Sequence, residues 1–523
     1  MRFRKFVLGL VTATFLTSGC KEKNNAEVVK TENNTTTTDS AYYQEKYRPQ
    51  YHFSPEANWM NDPNGLVFYK DTYHLFYQYY PDDTKWGPMH WGHATSKNLR
   101  DWEHKPVALA PDSLGYIFSG SAVVDQNNSS GFGSAENPPM VAMFTYHNAE
   151  MAEAGREDYQ TQGIAYSLDD GDTWEKYEGN PVVPNVDQGI DFRDPKIFWH
   201  EASQKWILLL VAGDHAQIYN STDLKKWDFL SDFGQKRGAH GGVWECPDLF
   251  PLKVDGGEEK WVLLISINPG APNGGSGTQY FVGEFDGKTF TSQQKEDKWI
   301  DWGRDNYAGV TFNNMPQDDR VFLGWMSNWN YGEQTPTEKW RSAMTLPRKL
   351  ELKKDDGYFL TNYPVDAITQ NLSYENFAAE KPVQLENKDL NQAHIEFELP
   401  ENPSDFRIAL SNASKDSVYV GYSKTQNQFY IDRIASGETD FSEKFADRIM
   451  TAPAQFIKKG PTSISLFTDQ SSIEFFVDGG ATAMTAQVFP KSPYTILNIQ
   501  TEDVVKNLKL APVPSIWKNQ STD

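Results

Sequence analysis

The sequence predicts an all-β fold, a five-bladed β-propeller followed by a C-terminal β-sandwich. A related phrase recurs in the first part of the chain, as SKNLRDW (96–102), SLDDGDTW (167–174), STDLKKW (221–227) and, more weakly, EFDGKTF (284–290). Each phrase is typical of a polar turn between strands, and each follows an apolar hairpin such as LVFYKDTYHLFYQYY (66–80). Repeats of this length indicate a propeller, and the hairpins divide into five units. The 37 glycines and 29 prolines also favour many turns over long helices.

The first residues of the chain predict an export signal. Basic residues at 2–5 precede an apolar run from Phe6 to Leu16, which is too short to span a membrane. Small residues then precede Cys20, and this arrangement resembles the cleavage site of a bacterial lipoprotein, in which the cysteine carries the lipid. The sequence therefore predicts a signal peptide over 1–19 and membrane attachment only through a lipid on Cys20.

Residues on either side of the cysteine refine this prediction. Thr17 stands where a lipoprotein signal has leucine, with Leu16 one place early, so an ordinary cleaved signal is the alternative. Lys21, rather than an aspartate, follows the cysteine, as in outer-membrane lipoproteins. The expected location is the cell envelope, at the outer membrane, facing either the periplasm or the cell surface.

Composition divides the rest of the chain into a tether and two folded parts. Residues 20–44 have almost no apolar pattern and contain a Thr/Asn tract, which predicts a flexible tether. The propeller is predicted over 45–352 and a connector over 353–372. From 373 to 523 the strands alternate in the manner of a two-sheet sandwich, as in AHIEFELP (393–400). This module either binds glycan or braces the propeller, and bracing is the preferred interpretation.

Polar motifs open the predicted units. They are WMNDPNG with Asp62, FSGS (118–121), FRDP with Asp194, WECP with Glu245, and Asp305 with Tyr307. If the units are blades around an axis, the innermost strand of each begins near the central channel, so these openings line one funnel. Retaining hydrolysis of a glycosidic bond requires a carboxylate nucleophile and a carboxyl acid/base about 5–5.5 Å apart. The three motif carboxylates therefore predict a glycosidase site.

Charge and motif content exclude several other classes of function. The net charge of −22 argues against nucleic acid or an anionic membrane surface as a partner, whereas a neutral substrate is compatible with it. The 10 histidines show no metal-ligand spacing, so no metal is predicted. The sequence contains no phosphate loop or nucleotide fingerprint, so no cofactor is predicted either.

Seven motifs occur in the order of one enzyme family between residues 50 and 350. They are WMNDPNG (59–65), FYQYYP (76–81), WGPMHWGHA (86–94), FSGS, FRDP, WECPDLF (244–250) and WMSNWNYGEQTPTEKWRSAMTLPRKL (325–350). By these motifs the chain resembles glycoside hydrolase family 32, the invertases, inulinases and levanases. The resemblance implies a β-fructosidase that hydrolyses terminal non-reducing β-D-fructofuranosyl residues of fructans or sucrose with retention. The C-terminal sandwich is similar to the second domain of that family.

The resemblance assigns a role to each carboxylate. Asp62 corresponds to the nucleophile that attacks C2 of the fructosyl unit, so it must be ionised at the working pH. Glu245 corresponds to the general acid and then the base, and its pKa is expected to be raised by acidic neighbours and partial burial. Asp194 corresponds to the transition-state stabiliser that holds fructose hydroxyls, and we expect Arg193 to keep it charged.

The matching motifs also imply a substrate-binding set around the terminal fructose. The set is Trp59, Asn61, Gln78, Trp86, Phe118, Ser119, Arg193, Tyr307 and Trp329. Its amides and hydroxyls are expected to contact the sugar hydroxyls, and its rings the apolar faces of the sugar. Cys246, beside Glu245, either tunes the acid or is a small buried apolar residue.

Alternative functions are left open by the sequence. A fructosyltransferase on the same scaffold differs only in its acceptor, a sugar instead of water. A surface fructan-binding lipoprotein with weak catalysis is opposed by the intact Asp62, Asp194 and Glu245. Hydrolysis of sucrose phosphate fits the motifs but not the export signal. A funnel that narrows toward its axis admits a chain end, so we expect exo-acting cleavage.

Overall fold

A computed structural model of the chain describes residues 43–186, 189–254, 257–316, 319–378, 383–457 and 459–517. The predicted signal peptide, Cys20 and nearly all of the predicted tether lie outside these residues. Nearly all of the regular secondary structure in the described residues is β-strand, so the predicted all-β class is confirmed. In this described part of the chain, no helix is long and apolar enough to cross a membrane.

Five sheets follow one another from residue 58 to residue 364. The first contains β1 (Asn58–Tyr69), β2 (Thr72–Tyr80), β3 (His90–Ser96) and β4 (Trp102–Leu109). The second contains β5 (Tyr116–Val124), β6 (Met140–His147), β7 (Gln160–Ser167) and β8 (Glu175–Lys176), with the helix α1 (Ala149–Glu153) between β6 and β7. The third contains β9 (Phe192–His200), β10 (Lys205–Ala212), β11 (His215–Ser221) and β12 (Asp228–Phe233).

The fourth and fifth sheets follow, and one strand from this part of the chain pairs back with the first sheet. The fourth contains β13 (Val243–Lys253), β14 (Glu259–Asn268), β15 (Gly277–Phe285), β16 (Phe290–Thr291) and β17 (Lys298–Trp299). The fifth begins with β18 (Tyr307–Thr311) and β19 (Val321–Met326). After a 3₁₀ turn at Gly332–Gln334, β20 (Trp340–Arg341) pairs in parallel with β1. The fifth sheet is completed by β21 (Ala343–Met344), β22 (Arg348–Lys354) and β23 (Tyr358–Pro364).

The repeated sequence phrase has one structural position. In each of the first three sheets it joins the third strand to the fourth, as between Ser96 of β3 and Trp102 of β4. The weaker phrase (284–290) joins β15 to β16 in the fourth sheet in the same way. The repeat is therefore a hairpin turn that occurs once in each of the first four sheets, which is why its spacing follows the sheets.

The five sheets pack side by side around a ring of first strands. β1 contacts β5, β5 contacts β9, β9 contacts β13, β13 contacts β18, and β18 contacts β1. Apolar clusters join each sheet to the next: Val67 with Phe144, Ile164 with Leu208, Ile207 with Leu263, Val262 with Leu350, and Leu75 with Leu323. Burying both faces of each sheet is the main source of stability here, because apolar surface removed from water contributes roughly 25 cal/mol per Å².

The rest of the chain forms two six-stranded sheets. Its strands are β24 (Glu375–Asn376), β25 (Val383–Glu386), β26 (Ala393–Leu399), β27 (Phe406–Ser411), β28 (Ser417–Ser423), β29 (Gln428–Asp432), β30 (Met450–Pro453), β31 (Thr462–Asp469), β32 (Ser472–Val477), β33 (Thr482–Gln487), β34 (Ile496–Thr501) and β35 (Lys506–Pro512). One sheet has the order β24-β35-β26-β31-β32-β33 and the other β25-β34-β27-β28-β29-β30. Alternate residues of both, such as Ile395, Ile408, Phe429 and Phe475, form one apolar core.

Part of the stretch 353–372, between the two parts of the chain, is β-strand. β22 and β23 pair antiparallel over their full lengths, and β22 also pairs with β19. β23 therefore belongs to the fifth sheet, although it lies inside the stretch 353–372 that the sequence predicts as a connector. A 3₁₀ turn at Asp366–Ile368 follows it.

Candidate active site

A local irregularity in the first strand of each of the five sheets positions the site. The regular pairing is interrupted between Met60 and Pro63, Ile117 and Gly120, Arg193 and Lys196, Glu245 and Asp248, and Tyr307 and Val310. Such bulges turn side chains away from the regular alternation of a strand. Asp194 and Cys246 also have φ angles of +62° and +47°, a strained backbone conformation typical of functional sites. At these irregularities the motif residues leave the regular strand pairing.

The three motif carboxylates line one cavity of about 510 Å³. Its lining is Asn61, Asp62, Gln78, Trp86, Phe118, Ser119, His147, Tyr159, Gln160, Asp191, Arg193, Asp194, Glu245, Trp329, Tyr331, Glu333 and Gln334. These residues come from four of the five sheets and from the segment after β19. The structure therefore brings together Asp62, Asp194 and Glu245, as the sequence predicts.

Asp62 accepts hydrogen bonds on both carboxylate oxygens. Asn61 Nδ2 donates to Oδ1 at 3.0 Å, and Ser119 Oγ donates to Oδ2 at 2.7 Å. Burial raises the pKa of Asp62, while these two donors and the Cys246 thiol oppose the rise. Donors to the charged form stabilise a carboxylate, so these hydrogen bonds offset part of the rise in pKa that burial causes.

Cys246 lies between two of the carboxylates. Its Sγ is 3.6 Å from Asp62 Oδ2 and 3.7 Å from Asp194 Oδ2, and its backbone N–H donates to Asp194 Oδ2 at 3.0 Å. The side chain is 4 % exposed. Burial, followed by repulsion from the three carboxylates, raises the thiol pKa well above its ordinary value. Cys246 is therefore a buried residue whose protonated thiol contacts Asp62 and Asp194, and that it tunes Glu245 stays a prediction.

Glu245 is held by one cation and one phenol. Arg193 Nη2 donates to Oε1 at 2.9 Å, and the Tyr307 hydroxyl donates to Oε2. Burial raises the pKa of Glu245 to about 7; Arg193 opposes this, and repulsion from Asp194 and Asp62 adds to it. A carboxyl with such a pKa donates and accepts a proton near neutral pH, as general acid/base chemistry requires.

Arg193 lowers the pKa of Asp194 less than the sequence suggests. Arg193 Nε lies 3.8 Å from Asp194 Oδ2, whereas its other nitrogens bond to Asp191 and Glu245. Burial raises the pKa of Asp194 to about 6; Arg193 lowers it, and Asp62 raises it further. The expectation that Arg193 keeps Asp194 fully charged is therefore only partly met, because burial outweighs the nearby cation.

Aromatic rings surround the mouth of the cavity. The Trp86 side chain is 38 % exposed and meets Phe118 edge-on at 5.9 Å. Phe118 stacks on His147 with ring centroids 4.3 Å apart, and Trp329 lies 5.0 Å from Trp325. Trp86, Phe118 and Trp329 line the cavity, and their contacts with the apolar faces of the sugar stay a prediction.

Some predicted residues lie behind the cavity rather than in it. Trp59 is fully buried and donates through Nε1 to Asn61 Oδ1 at 2.7 Å. Tyr307 is 1 % exposed and reaches the site only through Glu245. The sequence-based interpretation of Asp305 as part of the funnel is wrong, because its carboxylate is buried against Arg433. Strand bulges, which the sequence does not reveal, decide which of these neighbours face inward.

The cavity also contains residues that the motifs did not indicate. They are His147, Tyr159, Gln160, Asp191, Tyr331, Glu333 and Gln334. Asp191 directly precedes FRDP, and Tyr331, Glu333 and Gln334 lie in the long motif 325–350. Their position next to or within a motif is the only sequence signal for them. His147, Tyr159 and Gln160 flank α1 and carry no periodic signal. In the part of the chain that the structure describes, no group of acidic, histidine or cysteine residues is arranged to hold a metal ion.

Family models match almost the whole described chain. The model for the glycosyl hydrolases family 32 N-terminal domain matches residues 52–364, and that for the family 32 C terminal matches residues 365–512. The chain belongs to glycosyl hydrolase family 32. The resemblance drawn from the seven motifs is thereby confirmed, and with it the class of the enzyme, a glycoside hydrolase.

Several individual proteins are similar to this chain over most of their lengths. A levanase of Bacillus subtilis is 45 % identical over 499 residues, covering 92 % of this chain and 72 % of that protein. An extracellular exo-inulinase of Aspergillus niger is 43 % identical, covering 86 % of this chain and 91 % of that protein. The crystal structure of an exo-inulinase from Aspergillus awamori superposes with a TM-score of 0.82 at 40 % identity, covering 91 % and 100 % of the two chains.

A ligand complex is also similar. The structure of a β-fructofuranosidase from Schwanniomyces occidentalis with fructosyl-erythritol has a TM-score of 0.80 at 32 % identity, covering 91 % of this chain and 99 % of that one.

Proposed function

We propose that this family 32 enzyme is an exo-acting β-fructosidase. Its substrates are fructans, levan or inulin, and sucrose, from which it removes terminal non-reducing β-D-fructofuranosyl residues. One observation carries the proposal: Asp62 and Glu245 line the same cavity and differ in their surroundings. Burial raises the pKa of Glu245 to about 7, whereas three hydrogen-bond donors surround the Asp62 carboxylate. That pairing supplies a nucleophile and an acid at the same pH. Levanase and exo-inulinase are the names of its similar relatives.

The reaction follows from these two carboxyls. In the first step, an oxygen of Asp62 forms a bond to C2 of the terminal fructosyl unit as the bond from C2 to the leaving oxygen breaks. Glu245 gives its proton to that oxygen. In the second step, Glu245 takes a proton from water, and the water oxygen displaces Asp62 from C2, so the configuration at C2 is retained. Asp194 accepts hydrogen bonds from fructose hydroxyls throughout.

The terminal fructose is held by the polar and aromatic lining. Gln78 Nε2 donates to the backbone oxygen of Ile117 at 3.1 Å, which fixes its amide beside Asn61 and Ser119 for contact with sugar hydroxyls. Trp86, Phe118 and Trp329 supply apolar contact. Catalysis requires the sugar in one orientation, and a lining of fixed amides and rings provides it.

For the architecture, we propose a five-bladed propeller that begins at about residue 45 and whose fifth blade ends with β23, inside the stretch 353–372 expected as a connector, followed by a sandwich over 373–523. Support for the propeller comes from the closed ring of contacts among β1, β5, β9, β13 and β18 and from the five apolar clusters between successive sheets. In this arrangement the cavity lies at the end of the axis where the first strands begin.

The function is tested by a product time course with full-length enzyme on sucrose, inulin and levan. We expect hydrolysis of all three, and equal initial rates of glucose and fructose release from sucrose. Glucose release that outpaces fructose release indicates transfer to a sugar acceptor instead. Asp62→Asn and Glu245→Gln are each expected to lose several orders of magnitude in kcat with an unchanged melting temperature. Parent-like kcat in either purified variant contradicts the assignment.

We also propose attachment to the outer membrane through a lipid on Cys20, supported by the lipoprotein-like segment before it. In cells, Cys20→Ala is expected to move the protein from the membrane fraction to the soluble fraction without loss of activity. Radiolabelled palmitate should label the parent only. Identical fractionation of both forms rules out the lipid anchor.

A further inference from the structure

One wall of the active-site cavity is a short segment after β19, residues 328–334, called here the wall segment. It contributes Trp329, Tyr331, Glu333 and Gln334 to the lining. Glu333 Oε1 also accepts a hydrogen bond of 3.2 Å from the backbone N–H of Trp86, which lies across the mouth. The position of this segment therefore sets the width of the cavity.

Tyr331 anchors the wall segment from behind. Its side chain is 1 % exposed, and its hydroxyl donates to Asp305 Oδ1 at 2.6 Å and accepts from Arg433 Nη2 at 2.7 Å. The ring is flanked by the guanidinium groups of Arg304 and Arg433, each 5.2 Å from its centroid. The hydroxyl therefore has both a hydrogen-bond acceptor and a donor as partners, and two guanidinium groups contact the ring.

The anchor is linked to the rest of the wall through its backbone. The N–H groups of Tyr331 and Gly332 donate to the Asn328 carbonyl at 3.1 Å and 2.7 Å. Asn328 Nδ2 in turn donates to the Arg304 carbonyl at 2.8 Å. Because the segment is a closed turn, a displacement of Tyr331 carries Trp329 and Glu333 with it.

Arg433 comes from the C-terminal module, directly after β29. Its Nη1 pairs with Asp305 Oδ2 at 2.5 Å, and both side chains are fully buried. Its remaining donors reach the Phe445 carbonyl at 3.0 Å and the Gln487 carbonyl at 3.0 Å. A buried charge persists only where it is paired and fully hydrogen-bonded, so this guanidinium has one available position.

We propose that Arg433 is a positioning residue through which the C-terminal module sets the substrate affinity of the active site. It acts through Asp305 and Tyr331 on the wall segment and touches no substrate itself. The proposal rests on the proposed β-fructosidase function. Since the wall contacts the sugar in the ground state and the transition state alike, its displacement is expected to raise KM more than it lowers kcat.

A second buried arginine between the modules provides a matched control. Arg348 pairs with Asp301 at 2.8 Å and with Glu474 of β32 at 2.6 Å, and its side chain is also fully buried. Its other partners are Asn362 and Thr485, and it makes no hydrogen bond to the described wall segment. Loss of Arg348 therefore breaks a comparable ion pair without releasing Tyr331.

The test compares full-length Arg433→Met, Arg348→Met and Tyr331→Phe with the parent at a temperature where all are folded. We expect Arg433→Met to raise KM for sucrose and inulin by about tenfold or more, with kcat near that of the parent. Arg348→Met is expected to lower the melting temperature by a similar amount while keeping the parent KM. Tyr331→Phe, which keeps the Asp305–Arg433 ion pair, is expected to raise KM to a smaller extent.

Hydrogen exchange of the backbone provides a readout that does not depend on activity. Exchange over residues 328–334 is expected to rise in Arg433→Met and Tyr331→Phe but not in Arg348→Met. Parent-like KM and exchange in Arg433→Met, or an equal change in Arg348→Met, overturns the proposal. If Arg433→Met does not fold, Tyr331→Phe decides the same question. If the parent releases no fructose, the proposed function fails, and the exchange measurement still decides the positioning role.

Discussion

Arg193 Nη2 donates to Oε1 of Glu245 at 2.9 Å, so the proposed acid is bound by a cation that opposes its protonation. Burial nevertheless raises the pKa of Glu245 to about 7, and repulsion from Asp194 and Asp62 contributes in the same direction. The guanidinium is what keeps this pKa near neutrality instead of higher. The acid is thus tuned by a balance between burial and one ion pair.

Removing this cation should move the alkaline limb of the pH profile. The first step needs protonated Glu245, so kcat/KM of the parent is expected to fall as the pH rises through about 7. In Arg193→Gln the pKa of Glu245 rises, and the alkaline limb should shift to higher pH while kcat/KM decreases overall. Arg156→Gln removes an exposed arginine that pairs with Asp158, and is expected to keep the parent profile. An alkaline limb that stays in place or moves to lower pH contradicts the assignment of Glu245 as the acid.

Ser119→Ala tests the acidic limb of the pH profile of kcat/KM. The Ser119 hydroxyl donates to Asp62 at 2.7 Å and lowers its pKa. Without it the pKa of Asp62 rises, so more of the nucleophile is protonated at low pH and the acidic limb of kcat/KM moves to higher pH. A hydrogen bond to a charged group is worth about 1.5–3 kcal/mol, so we expect a loss in kcat of about tenfold or more.

The control for this variant lies on the same strand. Among the described residues, the Ser121 hydroxyl hydrogen-bonds only to the backbone of Pro195 and Ile197, so Ser121→Ala should lower the melting temperature without moving either limb of the pH profile. A shift of the acidic limb in Ser121→Ala would mean that the limb reports general destabilisation rather than Asp62.

The sequence-predicted carboxylates that the structure places in one cavity are those whose sequence signal is local. Asp62, Asp194 and Glu245 lie in short motifs at the start of repeated units, and the repeat places all of those starts at one end of the sheets. Asp305 follows the same pattern but turns toward Arg433, which is 128 positions away in sequence. No local sequence pattern indicates a partner this distant in sequence. The neighbours Trp59 and Asn61 differ in the same way, because a bulge between Met60 and Pro63 decides which of them faces the cavity.

A buried histidine should make the stability of the protein depend on pH. His52 is fully buried, with Nδ1 2.8 Å from Asp469 and Nε2 3.0 Å from Glu474 of the C-terminal module. Burial lowers its pKa, but the two carboxylates outweigh burial and raise it to about 9. Because the folded pKa lies above that of the unfolded chain, the protonated histidine stabilises the fold fully below about pH 6.5 and loses this contribution as the pH rises to about 9.

The measurement is urea unfolding of the parent and His52→Gln between pH 6 and pH 9. The difference in unfolding free energy between the two is expected to be largest at pH 6 and to shrink by on the order of 3 kcal/mol toward pH 9. A difference that stays constant with pH shows that His52 does not titrate in this range.

The shape of the cavity predicts attack on chain ends. Its volume is about 510 Å³, and the contact between Glu333 and the Trp86 backbone closes one side of its mouth. Internal cleavage needs a groove open at both ends, whereas a cavity walled by Trp86, Phe118 and Trp329 accepts one terminal residue. Digestion of long-chain levan or inulin should therefore give fructose from the earliest time point, with little early loss of polymer length. Asp62→Asn serves as the blank for release without enzyme turnover. Short fructo-oligosaccharides that accumulate before fructose would show that the chain passes through the site.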